Sequence, residues 1–316
     1  MSTCSRFLAL SDAIATQTPW YRKNRSLRWR AILPALRMEA EPTVVATQLL
    51  ATAEQLAKGF PWYATLSSSS RLGLAAMLSS GRKIDEDGFL QELARFRVAC
   101  RDAGLKNSRY FEAVSLALHQ MSNSGSSFDR LTANRLRALY AAVLDAQWWL
   151  TSPADLPSLM LLLSTGRPVA TLAADQQAMY AALRVGGRPW GQSLQAASFA
   201  LVALGSVPDV VVSRMGALAE AFSRAGLHIL SRDEDEVALL AARPEPVAEL
   251  VDRVLSDRET LRGAQGAHIG RQAAFELAVT TTCIELGANS PLGSVVLGCK
   301  ALCDLHEVEA QQQSAS

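Results

Sequence analysis

The chain is poor in several things at once. Of its 316 residues only 19% are charged and 6% aromatic, and it holds five cysteines and four histidines. Cys4, Cys100, Cys283, Cys299 and Cys303 are odd in number and irregularly spaced, which argues against a disulfide framework and for a reducing, cytoplasmic setting. Asp12 interrupts the apolar run that follows Arg6, so no signal peptide is read. The longest uncharged stretch, Pro189 to Pro208, contains Gly191, Gln192, Gln195 and Gly205 and suits a buried helix better than a membrane span. The formal net charge is +1, which excludes a general polyanion binder and argues against nucleic acid as the partner. A hydrophobic fraction of 49% excludes disorder. There is no G-x-S-x-G, Walker A, G-x-G-x-x-G or H-E-x-x-H motif, so the sequence nominates no catalytic nucleophile and no phosphate loop.

What is present is a helical pattern. Apolar residues recur at i, i+3, i+4 and i+7, and alternating strand-type runs are nearly absent, so the fold class is all-α. Aligning the helix-to-helix turns gives Gly59, Gly104, Gln147, Gly187 and Gly226, with spacings of 45, 43, 40 and 39 residues. Glycine suits such positions because helices commonly end on a left-handed residue. Gly287 is a candidate sixth turn. A period near 40 residues with two helices per unit predicts about six helical hairpins, stacked as an open curved array or closed into an α/α toroid. The organisation read from this is a basic N-terminal helical segment (1–40), a helical-hairpin repeat domain (41–310) and a disordered tail (311–316).

Four groups of residues are candidates for chemistry. Between Asp12 and Glu39 stand Arg22, Lys23, Arg25, Arg28, Arg30 and Arg37 with no acid, interleaved with Trp20, Tyr21 and Trp29. That composition suits phosphates and stacked rings, or else a solvated capping helix paired with acidic neighbours. Asp233-Glu234-Asp235-Glu236 is an acidic cluster of the kind that binds Mg²⁺ or holds one carboxyl protonated, as in toroidal cyclases of isoprenoid substrates. Ser231, three residues before Glu234, offers a plain alternative, a capping box with acids in the first helical turn. Cys299, Cys303 and His306, with Cys283 on the preceding helix, have metal-like spacing but fall on an apolar face and read as core.

The fourth group is the strongest lead. Trp62, Trp148, Trp149 and Trp190 each lie one to three residues beyond an aligned turn, and Tyr110 sits similarly in the Gly104 unit. In a stacked array this lines up an aromatic edge, with Tyr63, Arg167 and Arg188 nearby, suited to a ligand or partner.

Trp149-Leu150-Thr151-Ser152-Pro153-Ala154-Asp155-Leu156-Pro157, followed by the apolar stretch Leu159 to Leu163, resembles a Leu-Thr-Ser-x-Asp-Asp-x-Pro motif. Gly191-Gln192-Ser193-Leu194-Gln195 likewise resembles Gly-Asn-x-Leu-Gln. Both are similar to stretches of an uncharacterised bacterial family of similar length, known as a domain of unknown function. The resemblance runs from about Trp20 to Leu261 and implies no activity. Ala154 stands where the family has the first Asp, which weakens a paired-carboxylate site at Asp155. Physically, Ser152, Pro153 and Asp155 form a helix N-terminal cap.

The expected function is a cytoplasmic bacterial binding or scaffold protein using Trp62, Trp148, Trp149, Trp190 and Arg188, with Arg22 and Arg25 from the basic segment. Its partner would be a protein or a small apolar or anionic ligand, and no cofactor is expected. The alternative is an enzyme with a central cavity, acting on an apolar or isoprenoid diphosphate substrate through Asp155, Asp233, Asp235 or Glu236. Mg²⁺ belongs to that alternative alone.

Overall fold

The computed structural model describes residues 1–18, 25–59, 66–80, 86–105, 109–122, 128–264, 269–287 and 291–314. Among them are fifteen α-helices and no strand, so the protein is all-α. The helices are α1 (Thr3–Gln17), α2 (Arg25–Ile32), α3 (Pro42–Gly59), α4 (Ser68–Ser80), α5 (Glu86–Asp102), α6 (Arg109–Ser122), α7 (Arg130–Ala146) and α8 (Leu156–Leu163). They continue with α9 (Val169–Val185), α10 (Gln192–Ala203), α11 (Pro208–Arg224), α12 (Glu234–Ala241), α13 (Val247–Gly263), α14 (Arg271–Leu286) and α15 (Pro291–Ser314). No described helix is long and apolar enough to cross a membrane.

Two kinds of helix alternate. Helices α9 and α11 bury one stripe each, Leu172, Gln176, Met179 and Leu183 in the first and Val211, Met215, Leu218 and Phe222 in the second. Helices α8 and α12 bury nearly every residue, from Leu156 to Leu163 and from Val237 to Ala241. A helix apolar on one stripe is stable at an outer surface, whereas one apolar all round needs neighbours on every side.

The packing follows that division. Each of α1, α3, α5, α7, α9, α11 and α13 packs on the helix after it and on the next odd-numbered helix, and α13 packs back on α1. The even-numbered helices α2 to α14 also touch in succession, and α14 touches α2. Helix α15 packs on α2, α4, α6 and α8, with lighter contact to α10 and α14. At Gly73 the approach of α4 to α15 is so close that a Cβ would stand 2.5 Å from Leu302 Cδ2 and 3.1 Å from Leu305 Cδ2.

The aligned turns fall where the sequence spacing puts them. Gly104, Gly187 and Gly226 follow α5, α9 and α11 with φ of 76°, 82° and 77°, Gly59 ends α3, and Gln147 caps α7. Gly287 is not one of the series, because it caps α14, an even-numbered helix, while α13 ends at Gly263.

Within the described part of the N-terminal basic segment, Arg28 and Arg30 are neither solvated nor open to an anion. Helix α2 is packed against α1, α4, α14 and α15, with Arg28, Trp29 and Arg30 buried. Its apolar residues Leu27, Ala31 and Ile32 draw it inside, and the two arginines follow, Arg28 bonded to Ser11 Oγ at 3.2 Å and Arg30 paired with Glu276. Trp20, Tyr21, Arg22, Lys23, Trp62 and Tyr63 lie outside the described residues. At the other end, the expected disordered tail is helical as far as Ser314, because α15 continues through it.

The Gly73 contact yields a stability prediction. Gly73→Val drives a branched side chain into Leu302 and is expected to cost about 1–3 kcal/mol, read as a lower urea midpoint with unchanged slope.

Candidate functional site

Helix α15 leans toward α2, α4, α6 and α8, and on its other side a cavity of about 620 Å³ is left between it and α10, α12 and α14. The wall of α15 facing the cavity carries Cys299, Lys300, Cys303, Asp304 and Glu307, the spacing of one helical face. Helix α12 contributes Asp235 and Glu236, α14 contributes Gln272 and Glu276, and α2 contributes Arg30. Trp190, Gly191 and Ser193 close the α10 end, and Arg232 and Glu307 are exposed at the rim.

Lys300 is the centre of this arrangement. Its Nζ lies 2.5 Å from Asp235 Oδ2, 2.7 Å from Glu236 Oε1 and 3.1 Å from Asp304 Oδ2, with its side chain only 11% exposed. Burial opposes the ammonium charge, but Asp235, Asp304 and Glu236 together hold the Lys300 pKa well above its ordinary value. Its charge is therefore locked on.

The carboxyls around it divide. Burial alone would raise Asp235, but Lys300, Glu236 and the Ser193 hydroxyl hold it below the usual carboxylate range. Ser193 Oγ donates to Asp235 Oδ1 at 2.7 Å and accepts from the Asp235 amide at 3.2 Å, which fixes that side chain. Glu236 is pushed well above its ordinary value, first by burial and then by the charge of Asp235. Asp304 is raised to about 7, again chiefly by burial. A lowered and a raised carboxyl side by side is the environment that keeps one ionised and the other protonated near neutral pH.

The sequence candidates are thus split. Asp235 and Glu236 face the cavity. Asp233 accepts from the Leu230 amide at 2.9 Å and from Gln272, and so closes the short turn that precedes α12; this bond stands in place of the expected Ser231–Glu234 box. Glu234 instead lies 3.6 Å from Arg188, which ties that arginine down rather than leaving it free on an aromatic edge. Asp155 accepts from the Ser152 amide at 2.7 Å, a cap as its sequence suggests, and burial lifts its carboxyl to about 7. It does not line the cavity.

Trp148, Trp149 and Trp190 are 71%, 55% and 67% exposed, and the first two meet edge-on at 5.9 Å. Only Trp190 reaches the cavity. Tyr110 does not join them: it is buried, donates to the Leu302 carbonyl at 2.5 Å and stacks on His306 at 4.9 Å. His306 is thus held between Tyr110 and Phe111 of α6, and among the described residues no cluster of Cys, His, Asp or Glu is arranged to hold a metal. Arg25 begins α2 and does not line the cavity.

The two short motifs meet through a buried polar network. Gln195 Nε2 donates to Gln147 Oε1 at 3.0 Å and to Thr151 Oγ1 at 3.1 Å. Gln176 Nε2 donates to Ser198 Oγ at 2.9 Å. The network joins the start of α10 to the turn carrying Trp148 and Trp149, while Ser193 of the same motif orients Asp235.

Lys300, Asp304 and Glu276 belong to none of the groups singled out from sequence, and Arg30 stands there only as one of the six cations of the basic segment. Lys300, Asp304 and Glu307 at i, i+4 and i+7 on one face were the available signal, hidden behind the cysteines that share that face.

An all-α protein with a buried, charged cavity is the class these features define. The chain belongs to the family described as Protein of unknown function (DUF4003), whose family model matches residues 22–297. No curated protein and no solved structure matches it.

The ion cluster carries a pH-dependent stability prediction. Asp304 keeps its proton in the folded chain after the unfolded chain has released it near 4, so its share of stability is present below about 4 and lost as pH rises through 7. Lys300→Met leaves the acids without their cation and is expected to cost about 3–5 kcal/mol at pH 8. The loss at pH 5, where the acids take up protons, should be smaller when both are measured by urea denaturation.

Proposed function

We propose that the chain is a small-molecule-binding protein of seven helical hairpins closed into an α/α toroid, with α15 set into its middle. The ring reading is supported by the odd- and even-numbered packing series, each of which returns to its start through α13 on α1 and α14 on α2. In such a ring α15 fills most of the axis, and the space beside it is the binding site. The observation that carries this reading is the cavity of about 620 Å³ walled by Asp235, Glu236, Lys300 and Asp304, with the exposed ring of Trp190 on its lining. Volumes of this size with a few convergent polar groups suit a small ligand. Trp148 and Trp149 extend the aromatic approach outside, joined to the α10 wall through the glutamine network. Five unpaired cysteines, four of them buried, fit a reducing compartment.

A second reading, an acid–base enzyme on the same site, is favoured by one observation, the lowered Asp235 beside the raised Glu236. Glu236 would donate the proton and Asp235 remain ionised. A diphosphate substrate fits poorly, because four carboxyls face two cations within the cavity. Mg²⁺ has no role in this reading, since the Lys300 ammonium already occupies the point on which Asp235, Glu236 and Asp304 converge.

The test is a thermal-shift panel of amines, anions, sugars and nucleotides on wild type and on Ala196→Trp, which fills the cavity from α10. A ligand at about 100 times its Kd adds about 2.7 kcal/mol and so raises Tm by several degrees. At least one class is expected to do so in wild type and not in Ala196→Trp. A shift that survives the filled cavity, or no shift at all, contradicts the reading.

A further inference from the structure

The cavity holds more acids than cations, and the excess names a ligand. Within it stand two cations, Arg30 on α2 and Lys300 on α15. Against them stand Asp235 and Glu236 on α12, Glu276 on α14 and Asp304 on α15. At the rim one more of each sign, Arg232 and Glu307, adds nothing net. The thiols of Cys299 and Cys303 also face the cavity from α15, while α8 and α10 contribute no titratable group, only Ser158, Gln192 and Ser193 among polar residues. Arg30 is committed to Glu276 and Lys300 sits closest to Asp235. Glu236 and Asp304 are therefore left sharing a cation already engaged. Glu236 is 2% exposed, and its Oε2 accepts no hydrogen bond.

Resting on the reading of this cavity as a small-molecule site, we propose that its ligand is an organic cation bearing one or more ammonium groups, seated against Glu236 and Asp304 and displacing a proton from them. An ammonium supplies what these acids lack, a second positive charge with several N–H donors. Trp190, 67% exposed at the same lining, offers an aromatic ring within reach of a second ammonium group or of the ligand's methylenes. In the empty cavity burial keeps protons on Glu236 and Asp304, the latter up to about 7. A bound ammonium favours their ionised forms, so binding releases protons and tightens as pH rises from 6 to 8. The linkage limit is about tenfold in affinity per pH unit for each proton released.

The probes are putrescine and spermidine, followed by isothermal titration calorimetry at pH 6 and pH 8 in buffers of different ionisation enthalpy. Maltose, inorganic phosphate and MgCl₂ are run beside them. Wild type is expected to bind at least one amine at one site, several-fold or more tighter at pH 8, with net proton release. Glu236→Gln should weaken it at least tenfold and abolish most of the release. Asp304→Asn is the second variant, should Glu236→Gln fail to fold, and should act in the same direction; Lys58→Ala, on the outer surface of α3, should bind as wild type does. Amine affinity that is flat in pH, or unchanged in both carboxyl variants, overturns the proposal. Binding of maltose or phosphate without binding of either amine overturns the cation assignment but leaves a small-molecule cavity standing. Mg²⁺ binding that needs Glu236 and excludes the amines overturns it in favour of a metal. If no probe binds and the wider panel is also silent, the cavity reading falls with it.

Discussion

Everything in the interior is arranged around one charge, the ammonium of Lys300. A buried cation is tolerated only where acids surround it, and here those acids come from two helices, Asp235 and Glu236 on α12 and Asp304 one turn away on α15. The pairing fixes the rotation of α15 about its axis, because turning Lys300 elsewhere would leave it facing apolar neighbours. With that rotation set, Leu302 and Leu305 face α4 across Gly73, and the Tyr110 hydroxyl meets the Leu302 carbonyl. The opposite face of α15 then looks onto open space.

The surrounding helices make that space affordable. Even-numbered helices such as α8 and α12, buried along nearly their whole length, are covered by one another, by α15 and by the odd-numbered helices outside them. Polar groups enter the interior only where partners meet them. Gln147, Gln176, Gln195, Thr151 and Ser198 satisfy one another, and Ser193 holds Asp235 from both sides. The two short motifs are thereby explained as framework. Ser152, Pro153 and Asp155 start a helix, and the Gly191 to Gln195 stretch joins that region to the acidic wall.

Much of the fold was legible, and the reasons are local. Helical periodicity and left-handed glycines are properties of short segments, so Gly104, Gly187 and Gly226 could be placed from spacing alone. Trp148 and Trp149, just beyond Gln147, and Trp190, just beyond Gly187, are exposed. What failed was long-range. Charge alone puts Arg28 and Arg30 at a surface, whereas the apolar residues of α2 carry both inside. Arg30 and Glu276 are far apart in the chain and meet only through the packing of α2 on α14. In the acidic run, sequence could not tell the turn-closing Asp233 from the cavity-facing Asp235, since only two residues, about half a helical turn, separate their roles. On α15 the cysteines drew attention from the lysine between them, although a lysine on an apolar helix implies acids waiting for it.

The central claim is that Lys300 and burial together divide the carboxyls, leaving Asp235 ionised and Glu236 protonated near neutral pH. A ¹³C carboxyl titration by NMR reads this directly, with the Glu236 signal assigned by its loss in Glu236→Gln. The account predicts that this resonance keeps the shift of a protonated acid above pH 7 while the Asp235 signal stays ionised well below the ordinary aspartate range. A Glu236 signal that titrates with the exposed glutamates would contradict it.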